Sequence, residues 1–116
     1  MTLRHVVLFG FGKTQSPAAV AEVVRRFVEL KERVPGIDDL EWGENSSSEG
    51  LDHGHSHAFL LTFANPQARD AYLVHPDHAA FATWVQPFVS SVTVLDYRVQ
   101  TKAPGVSGDL GSASVP

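Results

Sequence analysis

The segment LRHVVLFGF, residues 3–11, decides the fold. Successive side chains of an extended chain point to opposite faces. Leu3, His5, Val7, Phe9 and Phe11 therefore share one side, and Arg4, Val6, Leu8 and Gly10 the other, which predicts a strand buried on both faces. The same pattern returns in HSHAFLLTFA, residues 55–64. There His55, His57, Phe59, Leu61 and Phe63 lie on one face and Ser56, Ala58, Leu60 and Thr62 on the other. In each run a histidine stands at the entrance to an aromatic and aliphatic face.

Outward from these two runs the elements alternate. SPAAVAEVVRRFVELKERVPG, from Ser16, has an N-cap, Pro17 at the first helical position, and Val20, Val23, Val24, Phe27, Leu30 and Val34 at helical spacing. Pro35-Gly36 ends it. IDDLEWGEN predicts a shorter strand on Ile37, Leu40 and Trp42, and SSSEGLDHG has the composition of a mobile hairpin loop. NPQARDAYLVH predicts a short helix capped by Asn65 that must stop before Pro76, because the residue preceding proline is pushed out of the helical region. Asp77 is then a cap for a following helix over HAAFATWVQPFVSS, with Phe81, Trp84, Val85 and Phe88 in phase. VTVLDYRVQ is the last strand, and TKAPGVSGDLGSASVP, residues 101–116, predicts a flexible tail.

Strand, helix, strand, strand, helices, strand is the split βαβ order of a ferredoxin-like α+β domain over residues 1–100, a four-stranded antiparallel sheet with helices on one face. The opposite face, with Val6, Leu8, Ala58, Leu60, Leu95 and Val99, is too apolar for water. Burial against a second copy with two-fold symmetry is the simplest solution, a homodimer.

Composition narrows the function. The 116 residues form one domain, 43% hydrophobic and 19% charged, with no apolar run of membrane length. No secretory leader is legible at the start, so the expected location is cytoplasmic. With no cysteine, disulfides, thiolate metal sites and cysteine nucleophiles are excluded. A formal charge of −4 argues against nucleic acid as a partner. GFGK after the first strand lacks the spacing of a phosphate-binding loop.

The opening RHVVLFGF, the WGENSS after the first helix, HAFLLTF, YLVHPDHAAF and the closing VLDY together resemble the stress-responsive A/B barrel (Dabb) family of dimeric α+β barrels over residues 2–100. Tyr72 and Phe81 around His75-Pro76-Asp77-His78 carry the most specific part. The resemblance implies a dimeric barrel. Within the family it implies the chemistry of a plant polyketide cyclase, which closes a linear polyketide by aldol condensation without a metal or organic cofactor. Its catalytic tyrosine and histidine map onto Tyr72 and His78, and its pocket histidines onto His5, His57 and His75. His53 and His55, the tail and Trp84 depart from that pattern.

Read by their chemistry, His5 and His57 face the helices if their strands are neighbours, under a corner bearing Tyr72, His75 and His78. A cleft walled by Val7, Phe9, Phe27, Phe59, Phe81 and Trp84 suits a small apolar keto or phenolic ligand. Aldol closure needs a base near neutral pH and a donor for the enolate oxygen, and His78 and Tyr72 fit those roles. Each of these residues also has a bland reading: histidines that cap helix ends or sit as satisfied core groups, and a core tyrosine. The alternatives are then a non-catalytic stress-responsive or ligand-binding dimer, or a cofactor-independent oxygenase. HGHSH raises a metal reading, since His55 and His57 would point the same way on a strand with His53 or His5 nearby. No further ligand follows at the right spacing, so no metal is expected there.

Overall fold

A computed structural model describes residues 2–105 of the chain. Its elements are β1 (Leu3–Phe11), α1 (Pro17–Arg33), β2 (Ile37–Glu44), β3 (His57–Phe63), α2 (Pro66–Leu73), α3 (Pro76–Val85), a short 3₁₀ turn (Gln86–Phe88) and β4 (Val89–Arg98). The sheet is antiparallel, in the order β2-β3-β1-β4. This is the ferredoxin-like α+β arrangement, with the two histidine-bearing strands adjacent at its centre. The expected tail, residues 101–116, lies outside the described residues from 106 onward.

One face of the sheet carries the core. Leu3, Val7 and Phe9 of β1 and Phe59, Leu61 and Phe63 of β3 are buried against Val23, Val24, Phe27 and Leu30 of α1 and Tyr72, Phe81 and Val85 of α2 and α3. The other face carries no helix and stays open within one chain, in keeping with the expectation that a second copy covers it. Val6 and Leu8 stay only half-buried. Across the strands Val6 pairs with both Leu60 and Leu95, so a row of aliphatic side chains lies open on this face.

Local rules explain most boundaries. Ser16 accepts from the Ala19 N–H at 3.1 Å and Asn65 from the Ala68 N–H at 2.9 Å, each just before a proline whose missing N–H costs a first helical turn nothing. Gly36, at φ +96°, turns the chain out of α1. In β2 the apolar residues Ile37, Leu40 and Trp42 break strict alternation, and a bulge between Ile37 and Asp39 absorbs the extra residue. Ile37 opposes Phe63, Leu40 opposes Leu61 and Trp42 opposes Phe59, all on the helix side.

Three expectations are corrected. α3 is capped by His75, whose Nδ1 accepts from the Asp77 N–H at 3.1 Å, and Asp77 sits inside the first turn. The helix does not run through residue 91, because Pro87 has no N–H to donate and the chain passes through a 3₁₀ turn into β4 at Val89. The loop expected to be mobile is stitched down. Asn45 N–H donates to the Ser56 carbonyl at 2.8 Å, Gly54 N–H to Asp52 Oδ1 at 2.8 Å, and Ser56 N–H to the Phe9 carbonyl at 2.8 Å. This holds β3 back to residue 57. His55 therefore sits in the loop, its Nε2 3.0 Å from Thr93 Oγ1 on the uncovered side of the sheet, and does not share a face with His57.

Candidate active site

At the corner between α2 and α3 the sequence delivers two of its candidates to one place. Tyr72 lies on the inner face of α2 and is buried, with its ring 5.4 Å from Phe63 and 5.8 Å from His5. His78, in the first turns of α3, brings its ring to 4.3 Å from Tyr72. His78 Nδ1 is 3.1 Å from the Leu73 carbonyl, which can only accept, so Nδ1 carries the hydrogen and the neutral ring keeps a bare Nε2. Burial lowers the His78 pKa from its ordinary value, the Leu73 carbonyl opposes that shift, and the nearby His5 adds to it. Burial also pushes the Tyr72 phenol up, so it keeps its proton at neutral pH. The pair is a neutral imidazole beside a protonated phenol.

His5 completes the cluster from the sheet. It is buried, and its Nδ1 is 2.6 Å from Asp96 Oδ1, directly across on β4. Asp96 Oδ2 in turn accepts from Arg69 at 2.7 Å. Arg69 and Tyr72 stand three residues apart on α2, so one helix face supplies both.

The remaining candidates are not brought into this cluster. His57 faces the helices as expected, but it pairs with Phe9, four residues beyond His5, a separation of about 13 Å along the strand. There its ring lies parallel to Trp42 at 6.2 Å, with Nδ1 2.8 Å from Ser56 Oγ and Nε2 3.4 Å from Glu44. It borders a separate groove of about 640 Å³ between α1 and β2, lined by Val20, Val24, Val28 and Trp42. His75 is committed to its helix cap. Val7, Phe9, Phe27, Phe59 and Phe81 are core residues whose side chains fill the space expected to be a cleft. Phe27 stacks on Phe59 at 4.3 Å and meets Phe81 at 4.9 Å. Trp84 is half-buried beneath the Arg26 guanidinium, 4.1 Å from its ring centre.

What the sequence reading missed lies on β4. Val92, Val94 and Asp96 pair with Phe9, Val7 and His5 and so share their face, yet Val92 and Val94 are 50% and 54% exposed. The helices leave this margin open, an apolar shelf leading to the His5–Asp96 pair. The signal was present: in VTVLDY the alternation that puts two valines on the buried side also puts a carboxylate there, opposite a histidine. Arg69 gave no such signal, because its partner is distant in sequence. Among the described residues no group of three His, Asp or Glu side chains is placed to hold a metal ion. No described helix is long and apolar enough to cross a membrane.

Fold and cluster together define a small ferredoxin-like α+β domain with a tyrosine–histidine corner facing a sheet histidine. The chain belongs to the stress-responsive A/B barrel domain family, whose model matches residues 3–99. It is similar to the stress-response A/B barrel domain-containing protein HS1 of Arabidopsis thaliana, 31% identical over 96 residues that cover 83% of this chain and 88% of the relative. It is also similar to olivetolic acid cyclase of Cannabis sativa, 24% identical over 97 residues covering 84% and 96%. Among solved structures, the hydroxynitrile lyase from Passiflora edulis superposes with a TM-score of 0.84 at 21% identity, covering 89% of this chain and 97% of that one.

Proposed function

We propose that this chain is a cofactor-independent, aldol-type cyclase or lyase acting on a small apolar keto or phenolic substrate, with His78 as base and Tyr72 as donor. The observation that carries this is the corner itself: a half-buried imidazole kept neutral, with Nδ1–H fixed on Leu73 and Nε2 bare, 4.3 Å ring to ring from a phenol kept protonated. His78 Nε2 takes a proton from a carbon between two carbonyls. The resulting carbanion adds to a carbonyl carbon further along the chain, forming one C–C bond, and the alkoxide recovers the proton. Tyr72 O–H donates to the oxygen on which charge develops. The step is redox-neutral and needs no co-reactant. The apolar part of the substrate lies along Val92 and Val94. The name of the Cannabis sativa relative supports this chemistry.

The working unit in this reading is a homodimer. Leu95 and Tyr97, 61% and 45% exposed, continue the open row of Val6 and Leu60, and a second copy related by a two-fold axis covers that face on both partners. Leu95→Lys should shift the chain to monomer in light scattering.

The test of the chemistry is ring closure of synthetic linear poly-β-keto thioesters of several chain lengths, followed by ultraviolet absorbance. Wild type should exceed the buffer rate, and His78→Ala and Tyr72→Phe should each lose about a hundredfold or more of that excess. A rate equal to buffer for every substrate overturns the reading. One observation favours a second reading, a non-catalytic ligand-binding or stress protein: the rings of Phe27, Phe59 and Phe81 occupy the space a cleft would need. Under it the same two substitutions change the melting temperature alone.

A further inference from the structure

The face of β1 that bears His5 is otherwise filled by Leu3, Val7 and Phe9, and His5 stands directly opposite Leu61. An aliphatic residue would fill this position without polar partners. The chain instead buries an imidazole, at a desolvation cost, and brings a partly exposed carboxylate from β4 and a partly exposed arginine from α2 to meet it. Such groups return little net stability for that cost. Their geometry is specific: among the described hydrogen bonds only Nδ1 of His5 is occupied, and the carboxylate that occupies it can only accept.

We propose that Asp96, anchored by Arg69, is a positioning residue that locks His5 with Nδ1–H on the carboxylate and leaves Nε2 as the atom that meets a ligand beside Tyr72. The site then works with two imidazoles flanking one phenol, His78 from the helix side and His5 from the sheet. Arg69 and Tyr72 share a face of α2, so the anchor and the donor move as one body. This rests on the function proposed above for its catalytic consequence, but not for its structural content.

The arrangement makes a prediction that a merely space-filling His5 does not. In Asp96→Asn the side-chain amide keeps the carboxylate's shape but has one acceptor and one donor end. Arg69 only donates, so the amide oxygen must face Arg69 and the NH₂ must face His5. Nδ1 is then forced to accept, and the hydrogen moves to Nε2. Imidazole ¹⁵N shifts and couplings at pH 8, with His5 assigned by comparison with His5→Gln, read this directly. The expected result is Nδ1–H in the wild type and Nε2–H in Asp96→Asn. In the double variant Arg69→Met/Asp96→Asn the amide is free to rotate, and Nδ1–H returns in part. With the keto-thioester probe, Asp96→Asn should lower kcat about 10- to 100-fold with KM nearly unchanged, and the double variant should recover part of it. An unchanged His5 tautomer in Asp96→Asn overturns the proposal whatever the activity. The expected tautomer changes without turnover in any variant, wild type included, would sustain the positioning and refute the proposed reaction instead.

Discussion

Phe27 decides whether the space between sheet and helices is packed or hollow. Its ring is 2% exposed and touches Phe59, Phe81 and Phe9 at centroid distances of 4.3, 4.9 and 5.7 Å, so Phe27→Ala removes the centre of a four-ring cluster. Truncating a buried phenylalanine costs about 3–5 kcal/mol when the surroundings cannot collapse. Rings held from three sides by a sheet and two helices have little freedom to do so. A domain of this size has about 5–15 kcal/mol to lose. The expected effect is a fall in melting temperature of roughly 12–20 °C, read by circular dichroism. Phe27→Leu, which keeps most of the volume, should cost only about 1 kcal/mol and remains measurable if the alanine variant does not fold. The cavity in Phe27→Ala should also take up a small aromatic such as benzene, raising the melting temperature of that variant and not of the wild type. Loss of under 1 kcal/mol in Phe27→Ala, or benzene stabilising the wild type equally, would refute the close packing and restore an open cleft.

Three further outcomes follow from particular contacts. A Cβ at Gly10 would lie 2.6 Å from the Gly54 carbonyl and 2.5 Å from Ser91 Oγ, so Gly10→Ala must push the 45–56 loop off the sheet and should cost about 1–3 kcal/mol in urea titration. His75→Ala removes the side chain that caps α3 and should cost about 1 kcal/mol, whereas His75→Asn should keep most of the stability, since both asparagine and histidine offer an acceptor to the Asp77 N–H. Burial holds His78 below its ordinary pKa of 6.5, so the unfolded chain binds that proton more readily. The stabilisation is complete above about pH 6.5 and is lost as pH falls through the lowered folded value. His78→Gln should therefore flatten the urea midpoint against pH below 6.5 relative to wild type, and an unchanged slope would contradict the burial of the neutral ring.

Much of the candidate site was legible because it is local. Tyr72 and His78 meet across a single turn, and Pro76 forces that turn whatever the rest of the molecule does. His5 and His57 were both placed correctly on the helix side, since alternation along a strand fixes the face. Alternation does not fix position along the strand, and the pairing register separated them by four residues. The identity of the α3 cap also escaped the residue pattern: aspartate is the usual N-cap, but the bond before Pro76 put His75 in the capping position and Asp77 two residues further in, within the first turn.

The sequence by itself determined the order of elements, the inward faces of β1 and β3, the starts of α1 and α2, and the corner bearing Tyr72 and His78. All of these depend on interactions within a few residues along the chain. Only the tertiary structure decided that the phenylalanines close on one another, that Asp96 and Arg69 reach His5, and that His57 belongs to another groove. Those outcomes come from pairings between residues 15 to 91 positions apart, where register and packing, rather than local preference, set which side chains meet.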